Sequence, residues 1–253
     1  SECKLAERSY LVHHSDDPDV SPANPVPASE VRRVEIIRSG ELTSLEDIDE
    51  LNIILALVSK ELKCIGALIS IAEADSIHVL ATNIDFIPAQ SIFPRNEGFC
   101  STTIMSVDPL LVPHPEADMR FNYIAPVKQL NVGFYCGYPL FADDFTVLGS
   151  LCCLSFETCR LTQSQFTVGK KLAEAASRIL QHHIKLREAN LYCKLDSSEE
   201  RAECWRWPPF GLFYPHSQQF ATGFRLRTID LAGSYLDDVG MNAFSSTLVD
   251  PVV

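Results

Sequence analysis

The sequence predicts an α+β fold in which helices near both ends of one domain cover one face of an antiparallel sheet. Apolar residues recur at helical spacing over about 48–62 and again over about 162–191. Between these two segments, β-rich runs alternate with period two and are joined by short polar turns, which is typical of antiparallel hairpins. Because the helices cover one face, we expect the other face and the irregular middle of the chain to form a cavity or a partner surface.

Two helices are predicted ahead of the first strand. Residues 31–39 form a short amphipathic segment, and Thr43 with Glu46 has the spacing of a capping box for the helix that follows. One face of that second helix carries its apolar side chains, namely Ile48, Leu51, Ile54, Leu55, Val58 and Leu62.

The strand pattern consists of two hairpins and one short strand between them. The predicted strands are residues 65–71, 76–82, 110–112, 132–140 and 146–154. Residues 72–75 and 141–145 form the two turns, and residues 83–94 are predicted to be a loop.

The last element is a long helix that starts at a second capping box. Thr162 is the expected N-cap, and Gln165 completes the Thr-x-x-Gln pattern. The apolar stripe of this helix consists of Phe166, Leu172, Ala173, Ala176, Ile179, Leu180 and Ile184.

Composition divides the 253-residue chain into three parts. Residues 1–30 are acidic and rich in proline and predict a flexible leader, whereas residues 31–192 hold the ordered domain. Residues 193–253 lack sustained periodicity and are interpreted as a linker, a poorly structured tail or a stretch foreign to the domain. The chain begins with Ser, so we expect a fragment of a longer protein.

Charge and cysteine content exclude several classes of partner. The net charge is -12, with 33 acidic against 21 basic residues, and such a chain lacks the cationic field that nucleic acids and anionic membranes require. No uncharged stretch is long enough to span a bilayer. The nine cysteines are odd in number and lie mostly in apolar runs, which favours reduced thiols in the cytoplasm over a disulfide framework.

Common catalytic and metal-binding patterns are missing from the sequence. It contains no Cys-x-x-Cys, His-Glu-x-x-His, Gly-x-Gly-x-x-Gly or Gly-x-Ser-x-Gly motif. We therefore expect no metal site and no catalytic residue, and the sequence identifies no cofactor.

A series of short motifs in the middle of the chain resembles the GAF domain, specifically its sensory type. The motifs are, in order, Arg95-x-x-x-Phe99-Cys100-x-x-Thr103-Ile104, Asp118-x-Arg120-Phe121, Val127, Phe134-Tyr135-x-Gly137-x-Pro139-Leu140 and Gly149-x-Leu151-Cys152. The resemblance covers about residues 31–190, including the helices at both ends.

This resemblance implies a GAF/PAS-like sheet of about six strands with a loop-roofed ligand pocket and a homodimer formed through the terminal helices. On the matching positions, two residues lie at the pocket edge, two in the roof and three on the strand beneath the ligand. They are, in that order, Phe99 and Cys100, then Asp118 and Arg120, then Phe134, Tyr135 and Cys136.

Elementary geometry also predicts structural roles for several of these residues, beside any role in ligand binding. Asp118 and Arg120 are two positions apart and are expected to pair and pin the loop, or else to contact ligand. Phe134 and Tyr135 alternate across a strand, so one faces the core and the other the opposite face. Two departures from the family stand out: His114 replaces a usual Asp in the roof, and Cys136 replaces a usual Ala.

The expected function is a non-catalytic sensory module that binds a small molecule or signal and passes it through the terminal helices to a partner or output module. The alternative is an interaction or dimerisation module without a ligand. A third reading, reduction of free methionine sulfoxide, lacks the family's His-Ile-Ala-Cys-Asp segment. The cysteine that bilin-binding relatives use after the roof Asp is missing, because none lies between Asp118 and Cys136. The Asn-Lys-x-x-x-x-x-Phe-x-x-x-Asp-Glu pattern of cyclic-nucleotide phosphodiesterase GAF domains is missing as well.

Overall fold

Residues 25–195 are described by the computed structural model, and they form one α+β domain. Its helices are α1 (Glu30–Ser39), α2 (Asp49–Leu62), α3 (Cys100–Thr103), α4 (Ala125–Lys128) and α5 (Gln163–Leu195). Its strands are β1 (Gly66–Ala72), β2 (Ser76–Thr82), β3 (Ile92–Pro94), β4 (Leu110–Val112), β5 (Phe134–Phe141) and β6 (Val147–Ser155). The predicted leader and tail lie outside the described residues, apart from 25–30 and 193–195.

The six strands form one antiparallel sheet in the order β3-β2-β1-β6-β5-β4. The two predicted hairpins, β1–β2 and β5–β6, are joined at the centre by pairing of β1 with β6. The predicted α+β fold with a six-stranded antiparallel sheet is therefore confirmed.

Two elements differ from the prediction. The predicted loop over residues 83–94 ends in β3, a three-residue edge strand whose side chains are all exposed. The capping box at Thr43 and Glu46 is wrong, because α2 begins only at Asp49 and its N-cap Ile48 makes no side-chain hydrogen bond. Leu42 in the intervening segment is fully buried, and this packing sets the local structure instead.

The second capping box is confirmed at the start of α5. The backbone N–H of Gln165 donates to the Thr162 hydroxyl (3.3 Å), and the Gln165 side-chain oxygen accepts from the backbone N–H of Thr162 (3.1 Å). The reciprocal bonds satisfy two backbone donors at the end of a 33-residue helix.

Helices α1, α2 and α5 cover one face of the sheet, and their apolar stripes bury the larger of two hydrophobic clusters against it. We call this the helix face. On α2 the stripe includes Leu51, Leu55 and Val58, each at most 1% exposed. Burying each such side chain contributes roughly 1.5–3 kcal/mol.

The opposite face is covered by what we call the roof, residues 95–109 and 113–133. Strands β3 and β4 lie at opposite edges of the sheet, so the chain between them must cross a whole face. A second buried cluster fills the space between roof and sheet and includes Phe99, Phe121, Tyr135 and Cys152.

Candidate ligand-binding site

The centre of the roof face is a column of aromatic rings. The ring of Phe99 stacks on that of Tyr135, with centroids 4.3 Å apart and planes 12° from parallel. Phe121 packs on Phe99 at 4.8 Å. All three rings are at most 4% exposed. Phe99, predicted at the pocket edge, is thus in direct contact with Tyr135, predicted on the underlying strand.

Asp118 and Arg120 close the outer end of this column, and they form the predicted pair. Arg120 donates from Nε to Asp118 Oδ1 (2.9 Å) and from Nη2 to Oδ2 (2.6 Å), and its backbone N–H also donates to Oδ1 (3.0 Å). The Arg120 guanidinium carbon lies 5.0 Å from the centroid of the Phe121 ring. The predicted pairing of the two side chains is therefore present within the roof loop.

The charge state of Asp118 follows from these contacts. Burial acts against ionisation, but the hydrogen bonds and the attraction from Arg120 outweigh it and lower the pKa of Asp118. The carboxylate and guanidinium are each about a quarter exposed, so both also face the solvent side of the roof.

The inner end of the column meets a cluster of thiols and hydroxyls. The Tyr135 hydroxyl hydrogen-bonds with Thr103 Oγ1 (2.7 Å) and with Cys152 Sγ (3.1 Å). Cys100 Sγ accepts from the Ser70 hydroxyl (3.2 Å) and lies 3.3 Å from Cys152 Sγ.

Gly137 leaves the space that this arrangement needs. It is two residues along β5 from Tyr135 and on the same face, and a Cβ at this position would collide with the hydroxyl groups of Tyr135 and Thr103. The glycine of the Phe-Tyr-x-Gly motif is therefore explained by the close packing of α3 on β5.

Two of the predicted site residues lie elsewhere. Phe134 and Cys136 are fully buried in the helix-face cluster, on the opposite side of the sheet from Tyr135. Successive side chains of a strand alternate between faces, so these two cannot share a pocket with Tyr135. The roof face gathers the other five predicted residues.

Four contributors to the cluster were not predicted as site residues. Thr103 and Cys152 appeared only as motif positions, and Ser70 and Ser150 were not singled out at all. Ser70 and Ser150 are directly paired across β1 and β6, and their hydroxyl oxygens are 3.3 Å apart. A signal was present, because each serine interrupts an otherwise apolar central strand and sits in register with its partner.

His114, which replaces the usual roof Asp, is an exposed loop residue in the structure. Its Nδ1 lies 3.3 Å from Glu116 Oε1, and both side chains are more than half exposed. The imidazole therefore lies beside Glu116, while the backbone carbonyl of His114 accepts from the backbone N–H of Ala117 (3.1 Å) within the loop.

Neither a metal site nor a membrane segment is found in the part of the chain that the structure describes. Over residues 25–195, histidine, cysteine and carboxylate side chains do not assemble in groups of three or more suited to a metal ion. Among the same residues, every helix falls short of the length or apolar character that a bilayer crossing needs.

The described residues thus combine a six-stranded antiparallel sheet with one face covered by helices and the other by an irregular roof. The GAF domain family model matches residues 48–180, and the chain belongs to that family. The proposed resemblance is thereby confirmed, and family membership supports a sensory or regulatory role. A comparison with curated proteins gives no match.

Solved structures similar to this chain include two GAF domains and a reductase. The GAF-B domain of DevS from Mycobacterium smegmatis is 18% identical, with 54% of this chain and 94% of that chain covered and a TM-score of 0.43. The blue-light absorbing form of the PixJ GAF domain from Thermosynechococcus elongatus is 15% identical, with 66% and 96% covered and a TM-score of 0.45. A type II free methionine-R-sulfoxide reductase from Thermoplasma acidophilum is 9% identical, with 57% and 96% covered and a TM-score of 0.45.

Proposed function

We propose that this domain is a non-catalytic sensory module that receives a small molecule or signal at its roof face. It passes the signal through its terminal helices to a partner or output module, and it works in the cytoplasm as a homodimer formed through those helices. The contact surface for the input is the outer end of the aromatic column, where Asp118 and Arg120 offer a paired carboxylate and guanidinium beside Phe121.

One observation carries the transmission step. Arg95 is the first residue of the roof, four positions before Phe99, and its Nη1 donates to Glu30 Oε1 (2.5 Å) in the first turn of α1. Arg33 of α1 donates to the same carboxylate from Nε (3.0 Å) and Nη2 (2.6 Å). We call these three residues the Glu30 latch, and they join the roof to the N-terminal helix across the sheet edge.

The latch is stiff because it is buried. The Arg33 side chain is fully buried, that of Arg95 is 5% exposed and that of Glu30 is 20% exposed. Arg95 also donates to the backbone carbonyls of Glu73 and Ala74, at 3.3 and 3.0 Å. A displacement of the roof at Arg95 therefore acts on α1 directly, since buried charged hydrogen bonds are costly to break.

The packing of the roof supports a second candidate, a dimerisation module without a ligand. Phe99, Phe121 and Tyr135 fill the centre of the roof face, so a ligand placed beneath the roof would have to displace the ring of Phe99. A domain that works only through its helices would keep this column intact.

Native mass spectrometry of the full chain separates the two candidates. For the sensory module we expect a dimer that carries an additional non-covalent small-molecule mass. This mass should be lost in Asp118→Asn. It should be kept in the control Glu116→Gln, because Glu116 is an exposed roof carboxylate two residues away. Thermal melting of both variants verifies that they are folded.

A dimer without added mass in freshly purified protein, unchanged in both variants, would contradict the sensory proposal and favour the dimerisation module. A monomer would contradict both.

A further inference from the structure

Two thiols from separate elements meet beneath the roof. Cys100 is the first residue of α3, Cys152 lies in the middle of the central strand β6, and their Sγ atoms are 3.3 Å apart. The two residues are 52 positions apart in the chain, so the roof crossing brings them together. Both are free thiols, 7% and 1% exposed.

The surroundings of the two sulfurs differ and give them different roles. Cys100 accepts a hydrogen bond from the Ser70 hydroxyl, and Cys152 is held by the hydroxyls of Ser150 (3.0 Å) and Tyr135 (3.1 Å). The hydrogen bond from the Cys152 thiol lowers the pKa of Cys100, whereas burial raises the pKa of Cys152. Cys100 lies in the roof and is 7% exposed against 1% for Cys152, so it is the sulfur that an oxidant meets first. Its lowered pKa favours the thiolate, which is the reactive form of cysteine.

We infer that Cys100 and Cys152 are an oxidation site that forms an intramolecular disulfide when the domain meets a hydroperoxide. The inference does not rest on the proposed sensory function, because the disulfide forms whether or not the domain binds a ligand.

The chemistry balances with hydrogen peroxide as the oxidant. The Cys100 thiolate attacks one peroxide oxygen, the O–O bond breaks, and hydroxide leaves while Cys100 becomes a sulfenic acid. The sulfur of Cys152 then attacks the Cys100 sulfur and expels the sulfenic oxygen as water, as Cys152 gives up its proton. In total the two thiols lose two protons and two electrons, which together are two hydrogen atoms, and the peroxide becomes two molecules of water.

The geometry requires only a small movement. A disulfide has an S–S length of about 2.05 Å, so the sulfurs must approach by roughly 1.3 Å from their present separation. Strand β6 is paired on both sides, so the approach has to come from α3, a helix of only four residues in the roof. Oxidation also removes the hydrogen bond from Ser70, and it shifts Phe99, the neighbour of Cys100, relative to Tyr135.

Cys153 provides a matched control. It is adjacent to Cys152 but faces the helix side of the sheet, where Cys64 is its thiol neighbour. Replacing Cys153 leaves the roof pair intact, whereas replacing Cys152 removes the second thiol from it.

The test treats the folded full chain with hydrogen peroxide, alkylates the remaining thiols with N-ethylmaleimide and maps the unreduced peptides by mass spectrometry. We expect a linked peptide that contains Cys100 and Cys152 and has lost two hydrogen atoms. The link is expected to persist in Cys153→Ser and to vanish in Cys152→Ser, where Cys100 is instead trapped as a sulfenic acid by dimedone.

Three outcomes would overturn the inference. They are recovery of both thiols as reduced from the oxidised folded protein, a link that joins Cys64 to Cys153 without one from Cys100 to Cys152, and overoxidation of Cys100 without any link. The unsubstituted protein alone decides among these outcomes, so a variant that fails to fold leaves the test intact.

Discussion

Tyr135 is the residue of the roof face that contacts both the aromatic column and the cluster of thiols and hydroxyls. Its ring lies under Phe99, and its hydroxyl group is held between Thr103 and Cys152. Burial, reinforced by the neighbouring thiols, raises the pKa of Tyr135 well above its ordinary value, so the hydroxyl keeps its proton. The side chain can therefore act as a hydrogen-bond donor between roof and sheet throughout the physiological pH range.

Substitution of Gly137 tests this packing. We expect Gly137→Ala to lower the free energy of unfolding by about 1–3 kcal/mol, because the new Cβ overlaps the Tyr135 and Thr103 hydroxyls. In a Tyr135→Phe background the same change should cost less, since one of the two clashing oxygens is absent. Urea unfolding of the four proteins of this cycle measures the coupling, and equal costs in both backgrounds would show that Tyr135 does not set the requirement for glycine.

At the scale of elements, the Glu30 latch is the feature that joins α1 to the roof. Burial opposes ionisation of Glu30, but its hydrogen bonds with Arg33 and Arg95 outweigh this and lower its pKa below the ordinary value of 4.5. A carboxylate with a lowered pKa in the folded state stabilises the fold above about pH 4.5. That stabilisation is lost as the pH falls through the folded-state pKa.

We therefore expect Glu30→Gln to destabilise the domain by about 2–4 kcal/mol at pH 7, because it leaves two buried guanidinium groups without their shared carboxylate. Urea unfolding at pH 7 and below pH 4 is the measurement, and the difference from the unsubstituted protein should shrink at the lower pH. Glu35→Gln is the control, since Glu35 pairs with Arg32 in solvent and an exposed pair of this kind contributes little to stability. A pH-independent difference would contradict an electrostatic latch.

The elements also show where tertiary contacts override local pattern. Strand β3 has three exposed side chains and ends in proline, so its sequence has neither the apolar alternation nor the length that indicates a strand. It forms because the edge of β2 supplies backbone partners. The start of α2 is displaced for a similar reason, since burial of Leu42 fixes the segment that the Thr43–Glu46 pattern had assigned to a helix cap.

At the scale of the whole molecule, the proposed dimer requires a surface on the terminal helices. Helix α2 packs on the sheet with one face, and its other face presents Ile53 and Leu57, which are 59% and 50% exposed. These side chains are four residues apart, so they lie next to each other on the helix surface. Such an apolar pair on a helix supports an interface with a second copy through α2 and α5.

We expect Ile53→Asp to raise the dimer dissociation constant at least about tenfold, which corresponds to about 1.4 kcal/mol, because it places a charge in the apolar contact. Sedimentation velocity over a range of concentrations gives the constant. Val107→Asp is the control, since Val107 is equally exposed but lies in the roof. If the control weakened the dimer and Ile53→Asp did not, the interface would lie on the roof face and not on the helices.

Much of this domain is determined by sequence patterns that act over short distances. The apolar stripes of α2 and α5, the hairpins β1–β2 and β5–β6, the Thr162–Gln165 cap and the Asp118–Arg120 pair all depend on residues within one or two turns of each other. The GAF motifs are equally local, and together they identified the family. Local spacing decides such features because propensity, capping and periodicity operate between near neighbours.

Only the tertiary structure decided which side chains meet across the sheet. The crossing of the roof from β3 to β4 brings Cys100 to Cys152 and Arg95 to Glu30, pairs that are 52 and 65 residues apart. It also places Tyr135 beneath the roof and Cys136 among the helices. The order of the strands determines these contacts. That order follows from the burial of both faces of one sheet at the same time. No single segment of the sequence encodes such an arrangement.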